Sequence, residues 1–237
     1  MSGQIAENLA FVKKRILAAA EKAGRNADEI KLIAVSKSHP AASLCEAMAA
    51  GEACFGENKM QEAESKIAEI GREAAEWHLI GHLQSNKARK AVQLIDVVHS
   101  LDSVELAARL ERICIEEGRE TLPVLIQVDL AGEESKSGIE ATQLSRLSDF
   151  LSGCERLRLK GLMALPPFFD DPEAARPFFV RLRELRDRLA SEKAFANGGG
   201  ELSMGMSHDL EVAIEEGSTM VRVGTAIFGK REYGMRA

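Results

Sequence analysis

Lys37 follows the apolar run Leu32-Ile33-Ala34-Val35 and precedes Ser38-His39-Pro40. An ammonium held in a low-dielectric pocket has a lowered pKa, which frees the amine to attack a carbonyl; the same lysine on an open surface would be a solvated cation. Two other segments could hold an anion near it. Leu202-Ser203-Met204-Gly205-Met206-Ser207-His208-Asp209 reads as a strand, a small-residue turn and a helix start, offering hydroxyls and backbone N–H groups. Val221-Arg222-Val223-Gly224-Thr225-Ala226 ends a second apolar run, where Gly224 permits close backbone approach and Thr225 adds a hydroxyl. Plainer roles exist for both: Ser207 could cap the following helix, and Gly224 and Thr225 could simply close a strand. Arg222 is harder to place that way. Its neighbours Val221 and Val223 face the opposite side of the strand, and a guanidinium turned inward requires an acceptor.

Short apolar runs at 31–36, 53–55, 77–80, 97–100, 124–129, 159–164, 201–204 and 220–223 must position these groups. Helical patterns alternate with them at 41–50, 59–70, 85–94, 103–117, 142–151, 173–193 and 209–216, and a further helix spans 4–23. Val124-Leu125-Ile126-Gln127-Val128 is nearly all apolar, as a strand covered on both faces should be. The eight units predict an α/β fold, a single (β/α)8 TIM barrel occupying 1–237 as one domain with an extra N-terminal helix; an open doubly wound sheet is the alternative. In such a barrel the ligand face lies at the carboxyl ends of the strands, and phosphate sites fall between the loops after strands seven and eight. Both anion-holding turns are there. The polar stretch Glu133-Glu134-Ser135-Lys136-Ser137-Gly138 follows the fifth strand and shares that face. Gly198-Gly199-Gly200 precedes a strand, so it reads as a turn and not as a phosphate loop.

The 237 residues are 45% hydrophobic and 29% charged, ordinary for a globular chain, and the net charge of −6 disfavours nucleic acid as a partner. Basic residues gather at Lys87, Arg89 and Lys90 and between Arg181 and Arg188, which read as solvated helix faces. Cys45, Cys54, Cys114 and Cys154 form no C-x-x-C pair and read as free thiols in a reducing compartment. With no signal-peptide pattern and no apolar run approaching about 20 residues, the expectation is a cytoplasmic protein without a membrane partner.

Several motifs together resemble the pyridoxal phosphate homeostasis family, the barrel proteins related to the amino-terminal domain of alanine racemase that bind pyridoxal 5′-phosphate (PLP, a vitamin B6 form). They are Ala34-Val35-Ser36-Lys37, Phe55-Gly56-Glu57-Asn58, Trp77 to Lys87, Gly132 to Gly138, Gly161-Leu162-Met163, Leu202 to Ser207 and Arg222 to Gly229. The resemblance implies that Lys37 carries PLP as a covalent imine (Schiff base). It also implies that Ser203, the Met204 backbone, Gly224 and Thr225 bind the phosphate, and that Arg222 faces the pyridine nitrogen. Asn58, His78 and Met163 would line the pocket. The chain departs from the family pattern at Asp129 and at Leu79. An arginine can only donate, so the ring nitrogen beside it stays unprotonated and the ring is a weak electron sink.

Two functions remain open at this level. One is a PLP carrier that stores, buffers or delivers the cofactor, with PLP-dependent apo-enzymes as partners and, by the resemblance, a monomeric state. The other is a lysine-dependent enzyme, either a weak PLP amino-acid racemase or an aldolase-type barrel acting on a phosphorylated substrate. Racemisation needs a second acid/base group, for which the sequence offers Tyr233, the single tyrosine, or His208 or Cys54.

Overall fold

Strands that are apolar on both faces need cover on both, and the chain provides it by closing them into a ring. The computed structural model describes residues 3–132, 137–195 and 198–229. Its strands in chain order are β1 (Lys31–Val35), β2 (Cys54–Glu57), β3 (Glu76–Leu79), β4 (Val97–Leu101), β5 (Leu122–Asp129), β6 (Ile139–Glu140), β7 (Leu157–Met163), β8 (Glu201–Ser203) and β9 (Met220–Val223). The α-helices are α1 (Gln4–Lys22), α2 (Ala41–Ala49), α3 (Met60–Ile70), α4 (Ala88–Leu94), α5 (Val104–Glu116), α6 (Leu144–Ser152), α7 (Arg176–Ser191), α8 (Leu210–Glu215) and α9 (Thr225–Phe228). Parallel pairing runs β4-β3-β2-β1-β9-β8-β7-β5, and a β4–β5 pairing closes the ring into the expected eight-stranded barrel. The two-residue β6 lies outside the ring against β5. Neither β6 nor the one-turn α9 is long enough to produce a periodic pattern, so the sequence does not announce them.

Strand alternation sorts the side chains into two environments. Ile33, Cys54, Val97, Leu125, Met163 and Met220, one from each of six strands, form a small apolar cluster of their own. The alternate positions Leu32, Ala34, Phe55, Trp77, Leu79, Val98, Leu162 and Val221 join the large core shared with the helices. Leu79 is therefore an outer-core residue, fully buried, and its departure from the family pattern does not reach the barrel interior. The basic clusters on α4 and α7 are paired: Lys90 with Glu64, Arg89 with Glu116 and Glu117, Arg181 with Glu184, Arg183 with Glu216.

The amino-terminal helix has a structural task. Leu9, Val12, Ile16, Ala19 and Ala20 recur at three- and four-residue steps and are buried, at about 1.5–3 kcal/mol for each large apolar side chain as an upper estimate. Polar residues of the same helix fix the ends of β8 and β9. Arg15 donates to the Ser207 carbonyl at 3.0 Å and pairs with Glu211, while Asn8 donates to the Ile227 carbonyl at 2.8 Å.

Where β7 passes β8 there is no room for a side chain at Gly161, since a Cβ there would sit 2.0 Å from the Glu201 carbonyl oxygen. Gly161→Ala should lower stability by about 3 kcal/mol in urea unfolding. Gly153→Ala, whose nearest contact would be 3.6 Å, should stay within about 0.5 kcal/mol. Equal effects of the two substitutions would contradict this packing.

Candidate functional site

The backbone around Lys37 is fixed by acids and a buried lysine. Ser36 follows β1, is fully buried, and donates its hydroxyl to Glu57 Oε1 at 2.5 Å. Its carbonyl accepts from Lys66 Nζ at 2.7 Å, and the same ammonium lies 2.5 Å from Glu57 Oε1. Burial pushes the Glu57 carboxyl above its usual range, opposed by Lys66 and Ser36. On the other side Ser38 adopts a left-handed φ of 65°, and its N–H donates to Glu62 Oε2 at 2.8 Å. A non-glycine residue held at positive φ needs such an anchor. Lys37 itself is half-buried between these fixed points.

Lys37 lines a cavity of about 490 Å³ at the carboxyl ends of the strands, where a barrel builds its ligand site. Asn58 follows β2, Gln127 comes from β5, Ser207 and His208 follow β8, and Arg222, Gly224 and Thr225 belong to β9 and its end. Gly205 has a φ of +92° and would place a Cβ 2.5 Å from the Ala213 methyl, so the turn into Ser207 requires glycine. Asp209 Oδ1 accepts from Met206 N–H at 2.6 Å and holds that turn. Ser207 Oγ accepts from Ala226 N–H at 3.3 Å, joining the two turns that the sequence analysis singled out. A Cβ on Gly224 would meet the Val35 carbonyl oxygen at 3.0 Å, which brings the strand carrying Lys37 against the turn carrying Thr225.

Arg222 is 3% exposed. Nη1 donates to Ser203 Oγ at 2.7 Å and Nη2 to the Ala164 carbonyl at 2.9 Å, so the inward guanidinium has its acceptors. Burial pulls it down to about 10, still protonated at neutral pH.

Six of the expected residues, Lys37, Asn58, Ser207, Arg222, Gly224 and Thr225, surround this cavity. Four lie elsewhere. Ser203 is fully buried with its hydroxyl between Arg222 and His99, and the Met204 N–H is already donated to the Met220 carbonyl. Neither is among the cavity-lining residues, because the strand is still inside the barrel at 203 and 204 and emerges only past Gly205. Met163 belongs to the interior apolar cluster. His78 is fully buried with Nδ1 2.7 Å from His99 Nε2.

Asp129 turns its carboxylate onto its own loop, where Oδ1 accepts from Ala131 and Gly132 N–H, so it caps a turn and is not a wall of the cavity. Cys54 borders a second cavity of about 710 Å³, together with Lys31 and Glu76 at the amino ends of the strands, which removes it as an acid/base partner for Lys37. His208 does line the ligand cavity, with Nε2 3.0 Å from the Asp170 carbonyl oxygen. Tyr233 and residues 133–136 lie outside the described residues.

Gln127 and His99 were missed by sequence reading. Gln127 donates its amide N–H to the Ser137 carbonyl, and its buried Oε1, beside the cavity, has no hydrogen-bond partner among the described residues. The available signal was a lone polar residue interrupting an apolar strand, in Leu125-Ile126-Gln127-Val128 and in Val97-Val98-His99.

Residues 5–232 match the family model for the alanine racemase N-terminal domain. The chain is 44% identical to the pyridoxal phosphate homeostasis protein of Escherichia coli K12, with 98% of this chain and 99% of that one aligned. It is 46% identical to the protein of the same name from Pseudomonas aeruginosa, over 98% of both. The chain belongs to this family. Among solved structures, PipY of Synechococcus elongatus with PLP bound matches with a TM-score of 0.81 and 39% identity, covering 95% of this chain and 100% of that one. Alanine racemase of Corynebacterium glutamicum shares the fold, with a TM-score of 0.71 at 19% identity over 99% of this chain and 63% of that one.

The anchor beneath Lys37 makes a stability prediction. Lys66→Met would leave the buried Glu57 carboxylate unpaired and should cost about 3–5 kcal/mol in urea unfolding, and adding Glu57→Leu should regain most of it. A single variant as stable as the wild type would mean that this pair does not hold the Lys37 turn.

Proposed function

We propose that this chain binds PLP in the cavity at the carboxyl ends of the strands and serves intracellular PLP homeostasis by storing, buffering or delivering it. The observation that carries the reading is the convergence of an amine, two hydroxyl-bearing turns and a buried guanidinium on one cavity of about 490 Å³. That volume is within the usual range for small-molecule sites, and Gln127 Oε1, without a partner among the described residues, offers a ligand an acceptor. The 39% identity to a protein solved with PLP bound supports the assignment.

In this reading Lys37 Nζ supplies the amine that holds PLP as a Schiff base, and the fixed Ser36 and Ser38 keep it aimed into the cavity. Ser207 and Thr225 donate hydroxyl hydrogen bonds to the phosphate, and the glycines at 205 and 224 allow the backbone to come close. Arg222 donates to the ring nitrogen and keeps it unprotonated. When bound, PLP supplies an electrophilic carbon and an electron-withdrawing ring, and the arginine weakens the second of these. A Schiff base that water or another amine can reopen suits a carrier that passes PLP to apo-enzymes.

The chain acts in this account as one domain, as a cytoplasmic monomer. Among the described residues no helix is long and apolar enough to cross a membrane. Among the described residues the exposed large apolar side chains are Phe11 and Leu17 on α1, Ile115 on α5 and Phe168 in the loop after β7.

The test is the absorbance of wild type and Lys37→Ala with added PLP, before and after borohydride. A visible band in the wild type alone, with the reduced adduct on the peptide containing Lys37, is expected; a wild type that stays colourless with PLP would sink the reading. The phosphate assignment is tested separately. Thr225→Val should weaken PLP binding about tenfold and leave the phosphate-free pyridoxal unaffected. Equal losses for both ligands would move the phosphate elsewhere.

A further inference from the structure

The four residues Ser203, His99, His78 and Glu76 are inward-facing members of β8, β4 and β3 and continue from Arg222 toward the opposite end of the barrel. Ser203 Oγ is 2.7 Å from Arg222 Nη1 and 2.9 Å from His99 Nδ1. His99 Nε2 is 2.7 Å from His78 Nδ1, and His78 Nε2 lies 3.0 Å from Glu76 Oε1, bent away from a straight hydrogen bond. Ser203, His99 and His78 are fully buried. Glu76 opens onto the cavity at the amino ends, where Lys31 Nζ is 2.9 Å from both of its carboxylate oxygens.

The donors in this series can be assigned one at a time. Arg222 can only donate, so Ser203 Oγ accepts from it. The Ser203 hydrogen then goes to His99 Nδ1, its other polar neighbour. Burial, with the nearby His78 and Arg222, holds His99 well below its usual range and therefore neutral, so its proton is on Nε2. It donates to His78 Nδ1, which leaves His78 protonated on Nε2, toward Glu76. The Glu76 carboxyl, beside His78 and Lys31, is held at about 2 and remains a carboxylate. Running the neutral chain in reverse would turn the bare lone pair of His78 Nε2 toward that carboxylate and leave the Ser203 hydrogen without an acceptor.

We propose that Ser203, His99 and His78 form a one-way hydrogen-bond chain through the barrel, faced at its foot by the Glu76 carboxylate, that orients Arg222 toward the ligand, the four acting as positioning residues for the group that meets the ring nitrogen. The proposal rests on the PLP reading for what Arg222 meets, and on the chain's own geometry for everything else. It gives His78 a role that does not require it to touch the ligand. It also predicts that a residue at the far end of the barrel affects binding at the near end.

The first test needs no PLP. Long-range proton–nitrogen NMR at neutral pH should find His78 and His99 as neutral tautomers with the proton on Nε2; a proton on His99 Nδ1 would overturn the chain. The second test compares two variants at its foot. Glu76→Gln keeps an acceptor for His78 and should retain both tautomers and the wild-type PLP dissociation constant. Glu76→Leu removes the carboxylate facing His78 Nε2; the His78 tautomer should become mixed and PLP binding should weaken about threefold to tenfold. A folded Glu76→Leu protein with unchanged tautomers and unchanged PLP affinity would overturn the proposal. If the wild type bound no PLP, the functional reading would fall while the NMR result still decided the chain.

Discussion

A guanidinium that is 3% exposed cannot shed its proton at neutral pH, so the barrel around Arg222 has to supply acceptors on every side that a ligand does not. It does so with the Ala164 carbonyl and the Ser203 hydroxyl. Satisfying Ser203 in turn brings in His99 and then His78, so one buried charge accounts for a polar strip across the barrel interior. The same demand explains why the polar residues of β3, β4, β8 and β9 share one face of their strands. A half-satisfied network of this kind would be worse than an apolar core, which couples the identities of these residues to one another.

The lysine end is built on a separate principle. Ser36, Glu57 and Lys66 form a buried polar triangle beneath Lys37, while Glu62 holds the strained Ser38 from α3. The anion end depends on α1, whose Arg15 and Asn8 reach the carbonyls of Ser207 and Ile227. Three parts of the chain, far apart in sequence, thus fix three sides of one cavity. If PLP is held on Lys37 as proposed, this division would suit a carrier, because the other contacts would still retain the ligand when that bond opens.

Much of the barrel is legible in the sequence because short apolar-rich runs alternate with amphipathic helices, and that pattern has few architectures. The site is legible where the residue type is unusual for its place, as with Lys37 past the end of a buried strand and Arg222 between two valines. It is less legible in depth. Ser203 and Ser207 are equivalent on paper, and only the height at which β8 leaves the barrel, at Gly205, puts one inside and the other on the cavity. His78 and Met163 are pocket residues by the family resemblance alone; in the barrel His78 is buried against His99 and Met163 sits in the interior apolar cluster. Gln127 and His99 were hidden inside apolar runs whose hydrophobicity dominates the reading.

In the proposed complex one bound molecule joins Lys37, the Ser207 and Thr225 turns and Arg222. A crystal structure of the protein grown with PLP tests it most directly. Expected are density continuous from Lys37 Nζ into the ligand, phosphate oxygens against Ser207 and Thr225, and the ring nitrogen facing Arg222. Density on a different lysine, or a ring nitrogen turned away from Arg222 toward solvent, would contradict it.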